Sequence, residues 1–251
     1  MMTIRTAILI CLLPAFPFFS QAATLQGTDT VAMQGMHSTV LPSAGSDEFS
    51  HDFSSLTGWA IAGDFFVSAD QGVATVSNGG GDSGRSPDLT LRNEYWVQFT
   101  FAVQSAGFVM ASTNTIQGSG LATSTGSNRL MLGIKKNSTN QVWYARWMED
   151  GGEQSTFSTG IEEMQLDTVY TIVMHYKSAS APGANNGIAQ IWSIHPAQTV
   201  QTVLDLKNVD SDTVADLQAF LAGNKSATAG VDAIIKIDDL IMGTSGQEYV
   251  P

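Results

Sequence analysis

The 251-residue chain carries 11 Lys+Arg against 23 Asp+Glu, a formal charge of −12, with 43% hydrophobic residues and a single cysteine. That hydrophobic content excludes a disordered chain, and the length is enough to bury a substantial core. An acidic balance with no basic run argues against nucleic acid and anionic membrane as partners, since both are held by clustered cations that displace counterions.

Residues 1–22 read as a secretory signal peptide. Arg5 supplies the positive start, Ala7 to Phe19 form an apolar stretch, and Ser20-Gln21-Ala22 place small residues at the positions a signal peptidase reads, so cleavage is expected after Ala22. The stretch is too short for a membrane span, and Pro14 and Pro17 oppose a continuous helix. Export to the periplasm or medium follows as the expectation. Cys11 and Arg5 leave with this segment, so the mature chain has a formal charge of −13 and no cysteine for a disulfide or a thiolate-bound metal.

Residues 23–45 lack periodicity and read as a loose N-terminal arm, followed by one domain over 46–251. From there the pattern is β. FFVSADQGVATVSN (65–78) reads as a hairpin turning at Gly72. In YWVQFTFAV, the residues Tyr95, Val97, Phe99, Phe101 and Val103 fall on one face, with Gln98 and Thr100 on the other. RLMLGIKK (129–136) and QVWYARWM (141–148) flank Asn137-Ser138-Thr139-Asn140 as a second hairpin, and VYTIVMHYK (169–177) with GIAQIWSIH (187–195) form a third. TVADLQAFLAGN (213–224) is ambiguous between a short helix capped by Asp212 and a strand. DAIIKIDDLIMG (232–243) is a β-branched closing strand. Two Gly/Ser/Thr-rich stretches, 77–88 and 111–128, read as exposed connectors. The expected fold is all-β: two antiparallel sheets stacked as a sandwich.

Several of these segments together resemble a known group. DEFSHDFSSLTGWAIAGDF (47–65), the pair VYTIVMHYKS and GIAQIWSIHP, and the closing AFLAGNKSA and IKIDDLIMG are similar to the strands of the concanavalin A-like lectin/glucanase superfamily, in its laminin G-like jelly-roll branch of bacterial secreted proteins. The resemblance implies a two-sheet antiparallel jelly-roll β-sandwich over about residues 46–244 and a polysaccharide or other glycan as partner. It also implies a structural Ca²⁺ shared by an acidic residue near the first strand, Asp47 or Glu48, and one in the last, Asp238 or Asp239. Alternation sets Asp239 with Ile235, Ile237 and Ile241, and Asp238 with Lys236. Fold constrains function loosely in such a group, which holds enzymes, binding modules and adhesive domains alike.

The residues favour binding over catalysis. Gly81-Asp82-Ser83-Gly84 matches a serine-protease nucleophile but lacks a suitably placed histidine. The alternating carboxylates of sandwich-type glycoside hydrolases are missing. A lyase remains the alternative, with Arg146 neutralising a uronate and His175 and Tyr176 moving a proton, although neighbours in a strand point to opposite faces. For non-catalytic glycan binding, Trp143 and Trp147 share a strand face, Trp192 lies on another strand, and flat rings grip the apolar faces of sugars while Arg146 and Glu149 add hydrogen bonds. Trp59 and Trp96 are assigned to packing. The acidic balance favours neutral sugars, since like charges repel. A structural surface protein whose tryptophans are simply core is the third reading.

Overall fold

Period-two alternation is what a strand needs to bury one face, and the computed structural model of the protein turns it into strands, with no helix among the described residues. Those residues are 49–123, 127–149, 152–157, 163–210 and 217–243. The signal peptide, the arm, Asp47, Glu48 and the Asp212 cap therefore lie outside them.

In chain order the strands are β1 (Phe49–His51), β2 (Ala60–Ala62), β3 (Phe66–Ser68), β4 (Gln71–Val76), β5 (Ser83–Arg85), β6 (Glu94–Val103), β7 (Val109–Met110), β8 (Thr115–Thr123) and β9 (Asn128–Asn137). They continue as β10 (Asn140–Glu149), β11 (Gly152–Phe157), β12 (Tyr170–Lys177), β13 (Gly187–Ile194), β14 (Val200–Val209), β15 (Leu217–Gly223), β16 (Ser226–Ala227) and β17 (Val231–Gly243). One sheet of nine strands runs β14-β13-β12-β6-β17-β4-β3, with β1 and β7 also paired to β17. The other, of eight, runs β11-β10-β9-β8-β15-β5-β2, with β16 also paired to β8. Their pairings are antiparallel, and the sheets form the two-layer jelly-roll sandwich expected from the sequence.

The core sits between the inner faces. β6 contributes Tyr95, Val97, Phe99, Phe101 and Val103, all at or below 1% exposure, as the alternation required. The eight-stranded sheet answers with Ile116, Leu121, Leu130, Leu132, Ile134, Trp143 and Phe220. Phe99 meets Phe220 across the gap edge-on at 5.0 Å, and Phe101 meets Trp143 at 5.9 Å. Each such buried side chain contributes about 1.5–3 kcal/mol relative to exposure, which lets a chain without disulfides hold together on its core.

Local expectations fare unevenly. The hairpins β9–β10 and β12–β13 form, the first with a tighter two-residue turn at Ser138-Thr139. The β3–β4 hairpin also forms, but it turns at Ala69 and Asp70, both at positive φ, and not at Gly72. Gly72 lies inside β4, where a Cβ would sit 2.7 Å from the Phe65 ring and 2.8 Å from Phe53. The ambiguous 213–224 stretch resolves as strand β15 over its described part. Half of the supposed connector 111–128 is β8, one of the central strands of its sheet. Its glycines are there because strands approach closely at a bulge between Gln117 and Gly120: a Cβ on Gly118 would stand 2.6 Å from the Leu132 carbonyl oxygen, and one on Gly120 2.0 Å from that of Leu130. Likewise β5 lies within the supposed 77–88 connector.

Candidate functional site

The tryptophans settle first. Trp143 and Trp147 do share a face of β10, but it is the inner one: they are 0% and 9% exposed and belong to the core. Trp143 stands edge-on to Tyr170 at 5.1 Å, and the Trp147 indole N–H donates to Glu149 at 3.0 Å. Trp192 is on the other sheet, 2% exposed. The five residues expected to grip a glycan therefore do not form one surface. Arg146 is separated from its neighbours Trp143 and Trp147 by the alternation itself, which turns it outward. Trp59 is packed against Phe53 and accepts a role in the core through its N–H bond to His51 Nε2 at 3.1 Å.

The three residues of the lyase alternative are likewise distributed. Tyr176 faces the core at 0% exposure, its hydroxyl donating to the Met148 carbonyl at 3.1 Å. His175 faces the outside of the nine-stranded sheet, and Arg146 the outside of the eight-stranded one. His175 instead anchors a polar chain across four strands. Its ring stacks on Trp96 at 3.9 Å and 10°, and Trp192 lies parallel to Trp96 at 6.3 Å. Nε2 meets Glu94 Oε1 at 2.9 Å, Nδ1 meets Gln190 Oε1 at 3.1 Å, and Gln190 Nε2 donates to Asp205 Oδ1 at 2.6 Å. Because Asp205 takes the amide N–H, Gln190 turns its oxygen to the ring, and the imidazole lies between two acceptor oxygens. The hydrogen bond from His175 holds the Glu94 carboxyl below the usual carboxylate range, against burial and with help from Lys177, 3.5 Å away. Gln190 was within reach of sequence reasoning, since the β12–β13 register pairs it with His175. With His175 and Gln190 buried and mutually bonded, this chain is a fastener for the sheet more than a reaction centre.

The outer face of the eight-stranded sheet is different. Tyr144 and Arg146 project from β10, neither of them buried. Tyr144 pairs with Gly133 of β9, and a Cβ on Gly133 would stand 3.2 Å from the Tyr144 ring and 2.2 Å from the Ile116 carbonyl oxygen, so the ring lies along a glycine floor. Arg146 is ion-paired to Glu153 of β11, while its Nε has no hydrogen-bond partner. Lys225 joins from beyond β15, its backbone N–H donating to the Gln117 carbonyl of β8 at 2.8 Å. Partial burial lowers the Lys225 ammonium from its usual value; the charge of Glu153 opposes this and that of Arg146 adds to it. Sequence reasoning found Arg146 and missed Tyr144, Glu153 and Lys225.

The last strand holds its own correction. β17 carries a bulge between Asp238 and Ile241, with Asp239 at φ 51, so the alternation slips by one. Asp239 is exposed, and Leu240 and Met242 take the inward places that simple counting gave to Asp239 and Ile241. Burial pushes the Asp238 carboxyl up, as do the charges of Asp239, Asp52 and Asp70, while the Asp239 N–H bond opposes them. Among the described residues, no group of three or more His, Cys, Asp or Glu is placed to hold a metal ion.

No family model matches the chain, and no curated protein matches it in sequence. Solved structures do match in shape. An alginate lyase from Aplysia kurodai aligns at a TM-score of 0.51 and 10% identity, covering 75% of this chain and 88% of its own. An endo-beta-1,4-glucuronan lyase from Trichoderma reesei aligns at 0.51 and 12%, covering 80% and 99%. The CBM2 module of the evolved Dit protein of Lactobacillus casei BL23 phage J-1 aligns at 0.54 and 10%, covering 80% and 96%. The fold is a two-sheet antiparallel jelly-roll β-sandwich. At such identities the likeness is one of fold, and the chemistry rests on the side chains above. Among the described residues, no helix is long and apolar enough to cross a membrane.

Proposed function

We propose that the protein binds a polysaccharide along the outer face of its eight-stranded sheet, with Tyr144 as the ring on which a sugar stacks and Arg146 and Lys225 as the polar groups beside it. The observation that carries this reading is the Tyr144 ring lying along Gly133 on an outward sheet face, next to the Arg146–Glu153 pair. A partly open aromatic ring flanked by fixed polar groups is the composition sugar sites use, offering area at low entropic cost. The solved structures of like fold support it, since two are named as lyases of polysaccharides and one as a CBM2 module. Export through the N-terminal segment, as the sequence leads one to expect, belongs to the same proposal.

A glycan array followed by affinity electrophoresis tests it. Tyr144→Ala is expected to weaken retention about tenfold, on the scale of 1.4 kcal/mol per decade, with an unchanged melting temperature. Thr202→Ala, at an exposed site on β14, is expected to leave retention unaltered. Equal retention of the Tyr144 variant overturns the assignment.

One observation favours a second reading, β-elimination on a uronate: a phenol and two cations share the face, and such chemistry needs a cation on the carboxylate and a group that moves a proton. Steady growth of ultraviolet absorbance from unsaturated products would establish it, and a flat trace with bound substrate would leave binding alone.

A further inference from the structure

Two Asn-Gly dipeptides occur in the chain, Asn78-Gly79 and Asn186-Gly187. In such a pair the glycine backbone nitrogen can close a five-membered ring on the asparagine side-chain carbon, and the missing Cβ leaves that nitrogen open to do so. The fold treats the two pairs differently. Asn186 is tied at both ends of its amide: Oδ1 accepts the Ser180 backbone N–H and Nδ2 donates to Ser180 Oγ, each at 2.9 Å. Gly187 is buried as the first residue of β13 and paired with Val209 of β14. Both the carbon to be attacked and the nitrogen that would attack it are held in place.

Asn78 has neither restraint. It is exposed, and among the described residues no hydrogen bond holds its side-chain amide. With Gly79 it forms the centre of a turn after β4, at φ 54 and 79, closed by the Gly80 N–H on the Ser77 carbonyl at 3.0 Å. Positive φ at both positions is the type I′ arrangement, for which Asn-Gly is a preferred pair. Ring closure needs the Asn78 Cα–C bond to rotate out of this turn, so the reaction runs through its local opening. Two further bonds oppose that opening. The Asn78 backbone N–H donates to Asp232 Oδ1 at 3.1 Å, at the surface, and the Gly79 N–H reaches the Val231 carbonyl only at 3.4 Å. Exposed or long contacts of this kind open far more readily than the core strands beside them.

We propose that Asn78 is a self-modifying site, converted spontaneously to aspartate and isoaspartate with water as the only co-reactant. The Gly79 nitrogen bonds to Cγ of Asn78, the Cγ–Nδ2 bond breaks, and ammonia leaves carrying the proton that the nitrogen gives up. Water then adds to either carbonyl of the resulting succinimide and reopens it, leaving a carboxylate where the amide stood. The new charge joins a turn already bonded to Asp232. The isoaspartate form also lengthens the main chain where Gly79 has no room to spare: a Cβ there would stand 2.7 Å from the Thr228 carbonyl oxygen. Conversion is therefore expected to loosen the start of β17, where Val231 and Asp232 pair with β7. The inference is independent of the glycan contact proposed above.

The test is timed incubation of the intact protein in mildly alkaline buffer made with heavy-oxygen water, followed by peptide mass mapping with chromatographic separation of isoaspartate. The expected result is label entering a new carboxylate at Asn78 at least about tenfold faster than at Asn186, the effect of breaking the Ser180 bonds before attack. In denaturant, where neither the turn nor those bonds persist, the two sites should convert at similar rates. Asn78→Gln is expected to stop conversion there, because the larger ring closes more slowly. Asp232→Ala should speed conversion severalfold by freeing the turn. In converted protein separated by anion exchange, amide exchange should rise first at Val231 and Asp232. Equal rates at Asn78 and Asn186 in the folded protein overturn the inference. So does an intact Asn78 in folded protein after the denatured chain has converted.

Discussion

Replacing Trp143 separates a core indole from a ligand platform, and the two readings predict opposite results. The side chain is fully buried, edge-on to Tyr170 at 5.1 Å and tilted against Phe101 at 5.9 Å. Trp143→Ala removes all of it from a closed interior, for which about 3–5 kcal/mol is the usual cost. Two aromatic contacts, each worth about 0.5–1.5 kcal/mol beyond area, put the expectation at the upper end. Trp143→Phe behaves differently. It loses the outer ring, but it also removes an Nε1 donor that is buried with no hydrogen-bond partner, a group whose isolation costs about 1–3 kcal/mol. The net loss is expected to be about 1 kcal/mol or less. With a urea m-value of about 2–3 kcal/mol/M, the midpoint should fall by roughly 1.5–2 M for alanine and by less than about 0.5 M for phenylalanine. Glycan affinity of the phenylalanine variant should match the parent. An unchanged midpoint for Trp143→Ala, or an equal cost for both variants, would refute this packing argument.

Three further outcomes follow from the geometry. Gly120→Ala should cost about 1–3 kcal/mol or more, because its Cβ would fall 2.0 Å from the Leu130 carbonyl oxygen, and hydrogen exchange should rise first in β8 and β9. For Glu94, whose folded value is held below its unfolded one by His175, the stabilisation is complete above the unfolded value of about 4.3 and is lost as pH falls through the lower folded value. Glu94→Gln should therefore flatten the acid limb of a melting-temperature profile, and an identical limb would dismiss the bond. Asp238 has the opposite sign, its folded value raised, so its contribution turns unfavourable as pH rises through that window. Asp238→Asn should raise the melting temperature at neutral pH; added Ca²⁺ should mimic this in the parent alone if the cation implied by the family resemblance binds here, and EDTA should then lower the parent's midpoint.

Much of the fold was legible because burying one face of a strand imposes a rule on every second residue. The run Tyr95 to Val103 obeys it without exception, and the β12–β13 pair follows from two such runs across a turn-rich connection. β8 was illegible because glycine and serine are the composition of a loop, and only the approach of the Leu130 and Leu132 carbonyls explains them. Asp239 was misplaced because one bulge residue inverts every parity beyond it. The site was half legible. Alternation along QVWYARWM separates Trp143 and Trp147 from Tyr144 and Arg146, and the larger apolar rings claim the interior; choosing both tryptophans and Arg146 mixed two faces of one strand. Glu153 meets Arg146 across the neighbouring β10–β11 pair, a local contact, whereas Lys225 comes to this sheet from beyond β15 through its bond to Gln117 of β8, a long-range arrangement that no local pattern encodes.

Amide chemical-shift mapping with a bound oligosaccharide addresses the central claim most directly. The account predicts that the perturbed signals cluster on β8, β9, β10 and β11, with Tyr144, Arg146 and Lys225 among the largest. Perturbations gathered instead around Trp96 and Trp192 on the nine-stranded sheet, or scattered along the sandwich edges, would contradict it.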